Sequence, residues 1–397
     1  MFKRNFRQGG RFKPVRQNNS SNSGNRRGIG QFIDPARFTC KAEPRAEVVA
    51  YQANFQFADF AINEELKKNI VGKGYFTPTP IQDKAIVPIL EKKDVVGIAN
   101  TGTGKTAAFL IPLLNKVLIN SREKVLIIVP TRELALQINE EFAKFRGGLR
   151  VYSVCCFGGS SISQQISNLR RGHDFVIGTP GRLKDLIDRG VIKLNTFGTI
   201  VLDEADRMLD MGFVNDMRFI MAGMAPNRQT LLFSATMSPE INSLIREFLR
   251  EPITISVKTG DTSKNIDQAV VRIKKSEEKI DILHGLLSQP DFSKVLIFGR
   301  TKYGVEKLSG SLNKRGHKTE AIHGNKNQGH RQRALFNFKQ NHSRILVATD
   351  VAARGLDIPN VSHVINYDVP ATYEDYVHRI GRTGRAGETG KALTFIE

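Results

Sequence analysis

From about residue 55 onward, short runs of Val, Ile and Leu alternate with longer amphipathic stretches. Brief continuous apolar runs bounded by polar loops are what strands look like when both faces of a parallel sheet are covered by helices. The predicted strands are Val95-Val-Gly-Ile98, Val125-Leu-Ile-Ile-Val129, Phe175-Val-Ile177, Ile200-Val-Leu202 and Leu231-Leu-Phe233. Almost every one runs directly into a polar loop rich in Gly or Thr, and in open α/β sheets that loop edge is where ligands bind. The pattern pauses over Val257-Lys-Thr-Gly-Asp-Thr-Ser-Lys-Asn265, a polar stretch without hydrophobic period. It restarts with Val295-Leu-Ile-Phe298, Ile345-Leu-Val347, Val364-Ile365 and Ala392-Leu-Thr-Phe-Ile396. Two similar α/β sheets in series follow: one domain over 51–256, a linker over 257–266 and a second domain over 267–397. The last run lies almost at Glu397, so either the second domain is compact or the chain continues beyond it.

Length supports two domains, because 397 residues exceed what one core usually holds. The composition adds a third part. The first 33 residues contain no acid, while Lys3, Arg4, Arg7, Arg11, Lys13, Arg16, Arg26 and Arg27 sit among Gly, Asn, Ser and Gln. Such a segment buries too little apolar surface to offset its chain entropy, so a disordered basic tail is predicted over 1–50. Phe2, Phe6 and Phe12 would let it stack on bases as an RNA tether, the alternative being a solubilising tail. The net charge of +20 favours polyanionic partners.

Three cysteines without Cys-x-x-Cys spacing suggest neither a disulfide framework nor a zinc site, and His323 and His330 also lack ligand spacing. No apolar run approaches the roughly 20 residues that span a bilayer, and the N-terminus lacks a signal-peptide core. A soluble, cytoplasmic protein without a membrane partner is expected.

Ala99-Asn-Thr-Gly-Thr-Gly-Lys-Thr106 follows a strand and opens an apolar helix, as a phosphate-binding loop does. Gly102 and Gly104, with Thr101 and Thr103, would turn successive N–H groups and the helix N-terminus toward phosphates. Lys105 would meet the β- and γ-phosphates, and the Thr106 hydroxyl would bind Mg²⁺. Asp203-Glu-Ala-Asp206 comes straight after the strand Ile200-Val-Leu202, which places its acids at the same sheet edge. Asp203 would hold Mg²⁺ and Glu204 would orient or deprotonate the attacking water. These two motifs specify nucleoside-triphosphate hydrolysis; a kinase, a transporter ATPase and a helicase would all fit.

The remaining motifs narrow the class. From Phe57 to the C-terminus the chain resembles the DEAD-box RNA helicases. The resemblance rests on Asp203-Glu-Ala-Asp206, Gly74-Tyr-Phe-Thr-Pro-Thr-Pro-Ile-Gln82, Pro130-Thr-Arg-Glu-Leu134, Gly158-Gly159, Thr179-Pro-Gly-Arg-Leu183 and Ser234-Ala-Thr236. It continues through Ala348-Thr-Asp350, Arg354-Gly-Leu-Asp357 and His378-Arg-Ile-Gly-Arg-Thr-Gly-Arg385, in family order. It implies two tandem RecA-like domains and an ATP-dependent enzyme.

Residue by residue, the resemblance implies that Gln82 reads the adenine edge, with Tyr75 packing on the base face and Phe57 as the outlying aromatic. Arg382 and Arg385 become arginine fingers reaching the γ-phosphate from the second domain, and Asp357 the ribose ligand. Asp350 and His378 become couplers of the fingers to Glu204 and to the loop of Ser234 and Thr236. Pro130, Thr131, Arg132, Gly159, Thr179, Gly181, Arg182, Thr301, Gly324 and Thr349 fall on positions that hold the RNA backbone. Hydroxyls, guanidiniums and backbone N–H groups grip phosphate and sugar without reading sequence. The function so implied is an RNA helicase, acting as a monomer with ATP and Mg²⁺. It would close two domains on single-stranded RNA to unwind short duplexes or remodel ribonucleoprotein partners. An ATP-gated RNA clamp or assembly platform would use the same residues.

Overall fold

The computed structural model describes residues 33–42, 51–100, 102–257, 265–274, 278–353, 358, 360–384 and 389–396. Two parallel sheets, each covered by helices on both faces, follow one another along the chain. The first contains β1 (Val95–Ala99), β2 (Val125–Ile128), β3 (Ser153–Cys156), β4 (Phe175–Gly178), β5 (Thr199–Asp203), β6 (Gln229–Ser234) and β7 (Ile253–Val257), in the order β3-β4-β2-β5-β6-β1-β7. The second contains β8 (Ile266–Arg272), β9 (Val295–Phe298), β10 (Thr319–Ile322), β11 (Ile345–Ala348), β12 (His363–Asn366) and β13 (Gly390–Ile396), in the order β10-β11-β9-β12-β13-β8.

Successive side chains on a strand point to opposite faces, so a continuously apolar strand feeds two cores. Val95, Ile127, Val201 and Leu231 pack into one core of the first sheet, and Val96, Leu126, Leu202 and Leu232 into the other. In the second sheet Val295, Ile297 and Val347 face one core and Leu296, Phe298 and Leu346 its opposite.

Every strand predicted from an apolar run is present, and the four without such a prediction, β3, β7, β8 and β10, are the edge strands of the two sheets. An edge strand is covered less completely, so polar residues dilute its pattern. Alternate residues of β7 and of the first half of β8 are exposed.

The tail predicted over 1–50 lies mostly outside the described residues, but 33–42 correct its boundary. This piece forms a 3₁₀ turn, Pro35–Phe38, and an antiparallel bridge from Cys40 to Gln268 of β8. Composition missed it because one buried aromatic, Phe38, anchors it rather than a hydrophobic period. The linker of 257–266 also lies largely outside the described residues, between the end of β7 and the start of β8. No helix among the described residues is long and apolar enough to cross a membrane.

The second domain carries a pH-sensitive packing contact. His363 opens β12 buried, its ring stacked on Phe292 at 3.9 Å between centroids. Burial, reinforced by Lys391 and partly offset by Asp291, pushes the imidazole down to about 4. The unfolded chain therefore binds a proton at higher pH than the folded one. Stability present above about pH 6.5 should be lost as pH falls toward 4. Chemical denaturation of the second domain across that window should show the loss, and His363→Gln should flatten it.

Candidate functional site

The half of the first domain's edge that carries the glycine loop and Asp203-Glu-Ala-Asp206 is built by β1, β5 and β6, which are neighbours in the sheet. After β1 the chain turns through Gly102 (φ +86°) and Gly104 (φ +92°) into the helix Lys105–Ile119. At Gly104 two constraints coincide: the left-handed backbone disfavours a side chain, and a Cβ would stand 2.4 Å from the Gln82 amide nitrogen. Lys105 is buried, its Nζ donating to the Ala99 carbonyl at 2.8 Å. Thr103 donates to the Asn100 carbonyl at 2.8 Å. Thr106 stands in the first turn of the helix, and Thr101 lies outside the described residues.

Gln82 is clamped beside this loop. Its Oε1 accepts the Thr79 N–H at 2.8 Å, and its Nε2 donates to the Gly104 carbonyl at 3.1 Å. A primary amide has two N–H donors and two oxygen lone pairs, so one of each remains for an adenine edge. The aromatic side is arranged differently from expectation. Tyr75 is held edge-on between Phe57 (6.0 Å) and Phe145 (5.3 Å), with its hydroxyl 3.5 Å from Glu141. Phe57 is buried, and Phe76, 61% exposed, is the ring this segment shows to solvent.

At the end of β5, Asp203 is buried and its Oδ1 accepts the Glu204 N–H at 3.0 Å. Burial pushes its carboxyl up to about 6, opposed by the Lys105 ammonium and reinforced by Glu204. Glu204 turns the chain in the left-handed region (φ +55°), rare for a residue with a side chain. Its carboxylate accepts from Arg207 Nη1 at 2.7 Å in a buried ion pair. Sequence reading missed Arg207, although the i, i+3 spacing on a helix was a signal for the pair. Asp206 reaches β6: its Oδ2 accepts the N–H groups of Ala235 at 3.0 Å and Thr236 at 3.2 Å, while Ser234 Oγ donates to the Thr236 carbonyl at 2.9 Å.

In the second domain Asp350 forms two bonds with Arg379, at 2.6 and 2.8 Å. Arg379 also donates to the Asn366 side chain and the Asp368 carbonyl. Among the described contacts, Asp206 is thus what joins the acidic motif to the Ser234–Thr236 loop, and Arg379 is the partner of Asp350. His378 is half-buried on the helix Tyr373–Ile380, and its carbonyl accepts from Arg382 Nε at 3.4 Å. Arg385 and Asp357 lie outside the described residues.

The other half of each edge carries the remaining residues. Pro130, Thr131 and Arg132 follow β2, Gly159 follows β3, and Thr179, Gly181 and Arg182 follow β4, on three adjacent strands. Thr301 follows β9, Gly324 β10 and Thr349 β11, again adjacent. Arg132 lies against Gly159, where a Cβ would displace its guanidinium and the left-handed backbone (φ +78°) disfavours a side chain. Arg182 donates to Gln165 Oε1 at 2.9 Å and to the Ser160 carbonyl at 3.3 Å. Burial, with Arg331 and Arg182 nearby, depresses the Arg132 guanidinium below its ordinary range. Glu133 partly offsets this.

Sequence reading also missed the pair that joins the domains. Arg331, on the helix Gln328–Lys339, donates through Nε to Glu133 Oε1 at 2.7 Å, both residues being buried. Glu133 was legible only as part of Pro130-Thr-Arg-Glu-Leu134; its partner is 198 residues away.

Residues 79–244 match the family model described as DEAD/DEAH box helicase, and residues 278–387 the helicase conserved C-terminal domain. The chain is 46% identical over 342 residues to the DEAD-box ATP-dependent RNA helicase CshA of Bacillus subtilis, covering 86% of this chain and 69% of that one. It is 46% identical over 344 residues to the ATP-dependent RNA helicase CshA of Listeria monocytogenes, covering 86% and 66%. The chain therefore spans about two thirds of the length of these relatives. Among solved structures it is similar to S. cerevisiae Dbp5 bound to RNA and ADP BeF3 (30% identity, 86% and 89% covered, TM-score 0.75). It is also similar to Mss116p bound to ssRNA and AMP-PNP (32% identity, 86% and 75% covered, TM-score 0.78). With two tandem RecA-like folds, a phosphate loop beside an Asp-Glu-Ala-Asp motif and both helicase family matches, the chain belongs to the DEAD-box ATP-dependent RNA helicases.

Proposed function

We propose that this chain hydrolyses ATP in response to RNA, closing its two domains on both ligands to separate short duplexes or remodel RNA–protein complexes. The observation that carries the reading is the divided strand edge. In each domain neighbouring strands supply the nucleotide half or the RNA half, and the Glu133–Arg331 pair bridges the domains beside Arg132. Likeness to RNA- and nucleotide-bound relatives over both domains together supports a closed arrangement.

Within it, Lys105 and the loop N–H groups bind the phosphates, Gln82 reads adenine beside Phe57 and Tyr75, and Asp357 holds the ribose. Glu204 takes the proton of the attacking water, while Arg382 and Arg385 stabilise charge at the γ-phosphate. Thr106 and Asp203 offer the hard oxygen donors that suit Mg²⁺, which when bound would neutralise phosphate charge. Among the described residues no three His, Cys, Asp or Glu side chains form a metal cage. A site of this kind fills its remaining positions with phosphate and water oxygens. Pro130, Thr131, Arg132, Gly159, Thr179, Gly181, Arg182, Thr301, Gly324 and Thr349 hold the RNA backbone, so little sequence preference is expected. ATP and RNA each favour the closed state, so each tightens binding of the other.

The domain-bridging pair tests closure. Glu133→Gln leaves Arg331 buried without its counter-charge, a loss of about 3 kcal/mol or more from the closed state. RNA affinity in the presence of a non-hydrolysable ATP analogue should fall about 100-fold. The exchange Glu133→Arg with Arg331→Glu should recover part of it. Unchanged RNA affinity in Glu133→Gln would remove this pair from closure. Multiple-turnover strand separation distinguishes a helicase from an ATP-gated clamp.

A further inference from the structure

Residues 33–42 precede the first domain in sequence yet pack on the second. Asp34 caps the turn by accepting the Ala36 N–H at 2.9 Å, Pro35 starts it, and the Thr39 hydroxyl closes it onto the Ala36 carbonyl at 2.8 Å. The turn is thus written in local sequence, and it presents two side chains to one helix, Tyr373–Ile380. Phe38, 1% exposed, meets the fully buried Tyr376 ring at 4.7 Å, and the Arg37 guanidinium lies 3.7 Å over the Tyr373 ring.

Beyond the turn, Cys40 exchanges two backbone bonds with Gln268 at 3.1 and 2.7 Å, and the Ala42 N–H donates to Asp267 at 2.8 Å. The outer side of edge strand β8 is thereby paired at Gln268. Phe38 completes a small core with Ile266, Tyr376, Ile380 and Ala392, and the Tyr376 hydroxyl donates to Gln268 at 2.8 Å within it. Nine peptide units separate Ala42 from Tyr51, a reach of about 30 Å, so docking is intramolecular and even a small surface suffices.

The contacted helix is the one that delivers the arginines. Its Arg379 holds Asp350, and the chain runs from Ile380 directly into Arg382, whose N–H bonds the Arg379 carbonyl at 3.1 Å. We propose that residues 33–42 are a positioning strap for this helix. Phe38 and Arg37 hold Tyr376 and Tyr373 so that the arginines at its C-terminal end arrive at the γ-phosphate in register. Neither residue touches nucleotide; they act through the helix. The inference rests on the proposed role of Arg382 and Arg385.

The test compares the native chain with Arg37→Ala, Phe38→Ala, Phe38→Leu and a chain beginning at residue 43, each with ATP and single-stranded RNA. Misplacing a reacting group by about 1 Å can cost about 100-fold, so kcat should fall about tenfold or more in Phe38→Ala and in the truncation. KM for ATP should change by less than about twofold, and Phe38→Leu should recover most of the loss. Hydrogen exchange of amides in 373–384 should quicken in step with kcat, while those of β9 and β11 stay slow. A chain beginning at residue 33 should keep native kcat, so loss of RNA affinity in that chain alone would belong to the tail.

Unchanged kcat and exchange in the truncation would overturn the strap. If Phe38→Ala lowers the melting temperature, Arg37→Ala decides: a several-fold fall in kcat at unchanged melting supports it, and native kcat overturns it. A native chain whose turnover ignores RNA would defeat the helicase reading instead, and exchange over 373–384 would still report whether the strap docks.

Discussion

Arg382→Lys is expected to lower RNA-stimulated ATP turnover by about 10³-fold or more, and Arg385→Lys to do the same. Arg382 is buried at the end of the helix Tyr373–Ile380, and its Nε already bonds the His378 carbonyl, which fixes the direction of the guanidinium. Lysine keeps the charge but loses the planar fork that can bond a phosphate oxygen and the carbonyl together. Charge develops at the γ-phosphate in the transition state, so the loss falls on turnover and much less on ATP binding. Single-turnover hydrolysis with saturating RNA and ATP measures it. A loss below about tenfold would place the arginine away from the reacting phosphate.

Glu204→Gln should reduce turnover by about 10² to 10⁴-fold while leaving ATP and RNA bound. The substitution is nearly isosteric, and the amide oxygen can still accept from Arg207, so the turn at φ +55° is retained. What disappears is the proton acceptor. A chain that closes without hydrolysing should hold RNA longer than the native protein in the presence of ATP, which dissociation of a fluorescent RNA would show. Native turnover in Glu204→Gln would assign the base elsewhere.

Whether a feature was legible followed how much of it lay in one stretch of chain. Central strands were visible because burial on both faces forces continuous apolar runs; β3, β7, β8 and β10, at the sheet edges, were not. The phosphate loop and Asp203-Glu-Ala-Asp206 were legible because a strand-to-helix turn is one short segment, and the structure sets both at one sheet edge.

Side chains that meet only through the fold were hidden. Glu133 with Arg331, Asp350 with Arg379, and Phe38 with Tyr376 join residues from different elements, and nothing in either local sequence names the other. Tyr75 shows the opposite limit. Its position in Gly74-Tyr-Phe-Thr-Pro-Thr-Pro-Ile-Gln82 implied a ring packing on the adenine face, but not that Phe57 and Phe145 hold it edge-on and partly buried against the core.

The measurement that bears most directly on the account is steady-state ATP hydrolysis by the native chain with and without single-stranded RNA. Coupled closure predicts strong stimulation by RNA, abolished in Glu204→Gln. Turnover that is the same with and without RNA would mean the two halves of the strand edge are not linked, and the clamp described here would be contradicted.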